Sequence, residues 1–250
     1  MLINTHSVIW LISLPILYFF IITLCKKYNY CQNLTRTNGN TDKLITHSLV
    51  SLLCVTYISI SGIILYFKYS NLVFDKFMIF ERNELIENHI IIPILAYQFW
   101  NIVISFLNKD LYSIYFIIHH IFVLILSIYS LSIPLFQYIS IYFFGLIEIT
   151  NVFLTLIEIK KYDKQFENYK PFNLIVNIIF TFLYFIFRIV LWIYANYQFY
   201  MINIFHKDIL FSKYPIITFI FITANIFLTF LQFYWGYLIC CKVIKKLKSE

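Results

Sequence analysis

The sequence predicts an all-α integral membrane protein of about seven transmembrane helices, and three observations predict it. First, the 250 residues are 61% hydrophobic and only 12% charged, with a mean hydropathy of +0.79. A soluble domain carries about a quarter charged residues, so this chain has too little polar surface to face water. Second, four glycines and five prolines exclude collagen-like and low-complexity chains, which leaves helices to satisfy the backbone in lipid. Third, apolar residues fall into runs of about 20, the length that crosses a hydrocarbon core. They lack the period of two that marks a transmembrane barrel strand.

Each run is bounded by charge. The first, about 7–25, has no basic residue ahead of it and no small-residue cleavage site behind it, and Lys26 and Lys27 follow directly. It reads as a retained anchor and not as a cleaved signal peptide. Arg36 and Lys43 then lead to the second run, about 47–67, and Lys68, Lys76 and Arg82 separate it from the third, about 89–107. Lys109 precedes the fourth, about 112–131, and the fifth covers about 135–158. A basic stretch with Lys160, Lys161, Lys164 and Lys170 leads to the sixth, about 172–195. Lys207 and Lys213 precede the seventh, about 216–240, and Lys242, Lys245, Lys246 and Lys248 end the chain.

These charges orient the bundle. With the N-terminus outside, thirteen Lys and Arg fall on the cytoplasmic side and five outside, and Arg188 lies within a span. Basic residues concentrate on the cytoplasmic face of membrane proteins, so the N-terminus is expected outside or luminal and the C-terminus cytoplasmic. The net charge of +7 then belongs to topology and anionic lipid heads, not to nucleic acid. Cys25, Cys31, Cys54, Cys240 and Cys241 fall in the cytoplasmic half, where disulfides are rare, so none is expected. Cys240 and Cys241 suit either palmitoylation or simple apolar filling. The sequon at Asn33 lies in the cytosol on this topology and should be unused. Lys246 and Lys248 stand five and three residues from the C-terminus, the spacing of a dilysine retrieval signal for the endoplasmic reticulum.

Ionisable groups inside spans are costly and by default mark a function or a structural hydrogen bond. His119 and His120 lie roughly 12 Å into the fourth span and Glu148 roughly 15 Å from the end of the antiparallel fifth, at 1.5 Å per residue. They should share one depth with Asn101, Asn177 and Gln232. Gly145, Glu148, Asn151 and Thr155 follow helical spacing and should form one inward stripe, with Gly145 admitting a close neighbour. Adjacent histidines diverge by about 100°, so one imidazole is expected to meet Glu148. Such a pair serves either proton transfer or a helix-to-helix hydrogen bond. Arg188 is expected off this layer, snorkelling outward or capping a carbonyl, with contact to a ligand phosphate as the alternative.

Several chemistries are excluded by spacing. The six histidines form none of the HxxxH or HxxHH boxes of membrane di-iron enzymes, and His47 and His89, at span ends, do not pair for haem. P-loop, GxSxG, HExxH and EF-hand patterns are absent, so no metal site is expected.

The remaining residues resemble the TLC family, named for the translocation-associated membrane protein, the longevity-assurance ceramide synthases and a ceroid-lipofuscinosis protein. His47 matches the family's entry histidine, and Tyr97 with Asn101 matches its tyrosine and acid, with Asn for Asp. His119-His120-Ile121-Phe122-Val123 matches the His-His pair, and Glu148 to Thr155 the E-x-S-x-P-F-L-N pattern. Phe185 to Ile189 with Arg188 matches F-x-R-I, and Leu231-Gln232-Phe233-Tyr234-Trp235 matches L-N-x-Y-W. The ceramide synthase branch adds a histidine where Tyr112 stands here, and acids where Asn151 and Thr155 stand. The resemblance therefore points to the non-synthase branch.

It implies a chain organised as a transmembrane anchor and loop over 1–42, a six-helix TLC domain over 43–246 and a tail over 247–250. It also implies a protein that binds or handles lipid or acyl chains in membrane lipid homeostasis. Asn101, Asn151, Thr155, Asn177, Gln232 and Arg188 are then the candidate ligand-binding residues. One alternative is an acyl-CoA-dependent N-acyltransferase making ceramide, with His119 or His120 as base, Glu148 orienting it and no resident cofactor. Another is a receptor for protein cargo in the endoplasmic reticulum.

Overall fold

A computed structural model describes residues 5–27, 41–160 and 170–247. Among them seven helices are long and apolar enough to cross a membrane. They are α1 (Thr5–Lys27), α2 (Thr41–Lys68), α3 (Glu84–Leu107), α4 (Ile114–Ser132), α5 (Gln137–Ile159), α6 (Pro171–Phe205) and α8 (Pro215–Leu247). The short α7 (Lys207–Lys213) joins the last two. The protein is an all-α, seven-span membrane protein. The sequon at Asn33 and the tail residue Lys248 lie outside the described residues, as does Cys31, and the four described cysteines are free thiols.

Six of the helices close into a ring in the order α2, α3, α4, α8, α6, α5 and back to α2, with α1 packed outside against α2 and α3. Small residues bring the ring together where α2 meets α5. A β-carbon on Gly145 would lie 2.8 Å from the Gly62 Cα, and one on Gly62 would lie 2.6 Å from the Leu146 nitrogen. Any side chain at either position would force the backbones apart. Helix α1 buries only Ser7, Leu14, Tyr18 and Cys25, and Tyr18 leans on Trp100 of α3 at 5.0 Å between ring centroids.

Three helices are not regular. Wide π turns interrupt α3 at Glu87–Ile91, α5 at Ile141–Gly145 and α6 at Tyr184–Val190. A π turn inserts a residue, rotates everything beyond it and often sits at a functional site. The buried charges among the described residues are Glu87, Glu148 and Arg188, and each lies in a π turn or within one helical turn of it. Side chains tie the α6 turn to its neighbours. Tyr142 Oη donates to the Phe187 carbonyl at 2.6 Å, and Tyr184 Oη donates to the Gln232 carbonyl at 2.7 Å.

At the end of the ring where α3 and α5 begin, a polar network pins the connections. Arg82 meets Glu87 through Nε and Nη2 at 2.8 and 3.1 Å, and Gln137 Nε2 donates to Glu87 Oε1 at 2.6 Å and to the Ser130 carbonyl at 2.9 Å. The Asn83 amide donates to Gln137 Oε1 at 2.8 Å. Next to Gln137, Phe136 adopts a left-handed backbone with φ of 62°, which for a bulky residue costs about 1–3 kcal/mol. Its amide is held by the Ile79 carbonyl at 3.0 Å, and its ring packs on Phe199 and Phe221 at 5.1 and 4.9 Å.

Candidate functional site

Inside the ring a cavity is lined by α3, α4, α5, α6 and α8, and its wall changes character along its length. One end carries Gln98, His119, Glu148, Arg188 and Gln232. The other is closed by Phe136, Phe199 and Phe221, with Val123, Leu126 and Leu228 between. From His119 to Ser130, as from Arg188 to Phe199, the lining spans about eleven residues, roughly 16 Å of helix at 1.5 Å per residue. The centre of a water-sized sphere can sweep only about 60 Å³ inside it. Spread over that length it makes a slot and not a chamber.

The polar end is built from all five lining helices. Arg188, 3% exposed, donates from Nε to Thr150 Oγ1 at 2.5 Å and from Nη1 to Gln232 Oε1 at 3.3 Å. Its Nη2 has no hydrogen-bond partner and stands 3.9 Å from Glu148 Oε1. Glu148 Oε2 accepts from Asn151 Nδ2 at 2.7 Å. His120 donates from Nδ1 to Gln98 Oε1, whereas His119 Nδ1 is buried without a partner and its ring lies edge-on to Trp235 at 5.7 Å. An unpaired buried polar atom costs about 1–3 kcal/mol. Three such atoms, Arg188 Nη2, His119 Nδ1 and Asn225 Oδ1, belong to side chains that line one slot, the first two at its polar end.

Several expected placements are corrected. Neither histidine hydrogen-bonds Glu148 among the described contacts: the 100° divergence sends His120 to Gln98, while the Glu148 carboxylate is taken by Asn151 and Arg188. Arg188 does not snorkel. It is the eighteenth residue of a 35-residue helix, longer than the apolar run suggested, and its π turn aims it inward. Asn177 instead donates to the Asn173 carbonyl at 2.6 Å within its own helix and does not line the slot. Asn101 sits behind the wall, accepting from His47 Nε2 at 2.9 Å.

The inward stripe on α5 splits. Glu148 lines the slot, Asn151 braces it from one turn away, Thr155 Oγ1 donates to the Asn151 carbonyl at 2.7 Å, and Gly145 faces α2. Gln98 and Thr150 escaped sequence reading although both bind the charged or imidazole groups of the site. A polar residue at helical spacing from Asn101 was the available signal for Gln98.

The fold and the site together define a polytopic helical membrane protein with a long internal slot, charged at one end and aromatic at the other. The chain belongs to the TLC-domain family: the sequence profile of the TLC domain matches residues 44–241, which takes in nearly all of the ring and leaves α1 outside. A comparison with curated proteins finds no match.

Proposed function

We propose that this TLC-domain protein binds a membrane lipid by one acyl chain and serves membrane lipid homeostasis. The chain lies in the slot and the head at Arg188, Glu148 and His119. The slot is the observation that supports this most directly: it is narrow, apolar for most of its length and polar at one end. A hydrocarbon chain fits that profile, and a polar metabolite does not.

Charge balance selects the head. Glu148 accepts from Asn151 and faces Arg188, so the two charges compensate. A third full charge at this depth would go unpaired at a cost of several kcal/mol. What remains for a ligand at this end is the Nη2 group of Arg188 and one imidazole nitrogen, which suit the carbonyl and hydroxyl or N–H of an ester or amide. The ligand class is a neutral acyl lipid. The excess of lysine and arginine on one side supports a cytosolic C-terminus and a luminal N-terminus, and the spacing of Lys246 and Lys248 supports the endoplasmic reticulum as the membrane.

The test uses the purified full chain in nanodiscs with a photoactivatable monoacylglycerol and the matching fatty acid. The neutral lipid should cross-link to slot peptides of α4 and α8, and the fatty acid several-fold less. Glu148→Gln leaves Arg188 uncompensated and should reverse that order. Cross-links confined to outward-facing residues in every case would sink the reading.

One observation supports a second reading. The unpartnered Nδ1 belongs to His119, which lines the slot, and a general base for acyl transfer from acyl-CoA to an amine needs such a free nitrogen. Cells lacking ceramide synthases and expressing this chain should then form ceramide, and His119→Ala should abolish it. No ceramide from either protein removes the enzyme.

A further inference from the structure

The slot is enclosed most closely where α3 meets α4 and α5 meets α2; α8 meets α4 over a shorter stretch, and α6 and α8 meet only in part. Their backbones approach at the Tyr184–Val190 turn, where Gly236 admits the Ile189 and Tyr184 side chains, and α8 meets α7 further along. Between these two contacts, along 191–205, they stand further apart. On the outer side of that stretch lies an open groove formed by Ile193, Tyr200, Ile226, Phe230 and Phe233, with Asn196 and Thr229 in its floor. Behind the floor, Trp192, Asn225 and Leu228 already belong to the slot.

Four polar side chains hold this seam. Thr229 Oγ1 accepts from Trp192 Nε1 at 3.0 Å and from Asn196 Nδ2 at 3.1 Å, and donates to the Asn225 carbonyl at 2.7 Å. Asn225 Nδ2 donates to Asn196 Oδ1 at 2.7 Å. Other ring helices are hydrogen-bonded too, as His120 is to Gln98 and Arg188 to Thr150, but there the helices also pack closely on one another. Here hydrogen bonds bridge a gap, and they exchange partners more readily than packed side chains can repack.

We propose that the seam between α6 and α8 is a lateral doorway through which an apolar ligand passes from the bilayer into the slot, with Thr229 as the hub of its latch. The proposal rests on the lipid-binding reading, since it supplies that ligand's route. The groove outside the latch is apolar and faces outward from the ring, so the molecule at hand there is a lipid chain of the surrounding bilayer. Asn196 and Thr229 face the groove, Trp192 and Asn225 face the slot, and the latch joins these two pairs.

The test follows access to the slot with a probe that need not be the natural ligand. In the full chain with its native cysteines replaced by serine, Val123→Cys places a thiol on the slot wall. Its alkylation is timed in liposomes with a long-chain N-alkylmaleimide dissolved in the bilayer and, separately, with a charged maleimide in the water. Thr229→Ala should speed the membrane-borne reagent by about tenfold, the scale of losing a hydrogen-bond hub, and leave the charged reagent unchanged. Thr229→Ser, which keeps the hydroxyl, should behave as the parent. Asn196→Ala, which like Thr229→Ala cuts two of the three bonds that cross the seam, should speed it as well.

Equal rates in the parent, Thr229→Ala and Asn196→Ala proteins would overturn the doorway, as would an equal acceleration of both reagents. If the photoactivatable lipid fails to label the slot while the alkylmaleimide result holds, the lipid reading fails and the doorway stands.

Discussion

Two buried polar clusters sit at opposite ends of the slot, and they are built differently. Around Glu87 and Gln137 the hydrogen bonds close on one another: Glu87 meets Arg82 twice and Gln137 once, and the Gln137 amide is used at both its nitrogen and its oxygen. Around Arg188 the bonds do not close. Nη2 is unpartnered, the approach to Glu148 is 3.9 Å, and His119 Nδ1 has no partner. Buried polar networks either complete themselves and specify a structure or leave groups open at a cost that function repays. The first cluster is the fold's clamp. The second is the site.

The largest effect that sharpens this contrast belongs to the clamp. Gln137→Ala strands the Ser130 carbonyl and the Asn83 backbone N–H and takes one of two partners from Glu87 Oε1, which keeps Arg82 Nε. At about 1–3 kcal/mol for each stranded buried group, with partial relaxation, the loss of unfolding free energy should be about 4 kcal/mol. Chemical unfolding in detergent micelles reads it. A loss under about 1 kcal/mol would mean that the closed bonds do not specify the fold.

At the site a single and a double change should part company. Arg188→Met alone leaves Glu148 buried without its countercharge and should cost about 3 kcal/mol. Adding Glu148→Gln removes that charge as well, and stability should return to within about 1 kcal/mol of the parent. Labelling by the neutral photoactivatable lipid should nonetheless stay at least about tenfold down, one strong polar contact being worth that much. Stability lost in the double variant as in the single one would make this cluster a second clamp and erase the contrast.

How much of the two clusters was legible in the sequence follows from the same difference. His119, Glu148 and Gln232 stand out because each interrupts an apolar run, and the ring's six spans follow from run length and charge. Arg188 interrupts a run too, yet its direction was misread. Its helix continues to Phe205 through apolar and amide residues that carry no charge to mark an end, and the π turn at 184–190 rotates it. Nothing in residue periodicity announces a π turn, because the inserted residue is compensated only by tertiary partners such as Tyr142. The partner of His120 was missed for a related reason: a 100° divergence says that two histidines separate, but not which neighbouring helix receives each. Glu87 and Gln137 lie at the ends of apolar runs, where charged and amide side chains ordinarily face water, so their closed network had no sequence signal at all.

The smallest expected effect tests where the two clusters meet. Phe136 adjoins Gln137 in the chain, is held left-handed beside the clamp, and its ring closes the aromatic end of the slot against Phe199 and Phe221. Phe136→Leu keeps the backbone amide on Ile79 and an apolar side chain at the same place, so it should cost only about 1 kcal/mol. It also removes the far edge of the ring from the floor, which lengthens the slot by a carbon or two without touching Arg188 or Glu148. Across a series of photoactivatable lipids of increasing chain length, the longest chain retained should therefore grow while the preference for a neutral head stays unchanged. If chain-length selection does not move, the aromatic end is packing alone and the acyl chain does not reach it. If head-group preference moves instead, the two ends are coupled through the slot and the division between clamp and site is too sharp.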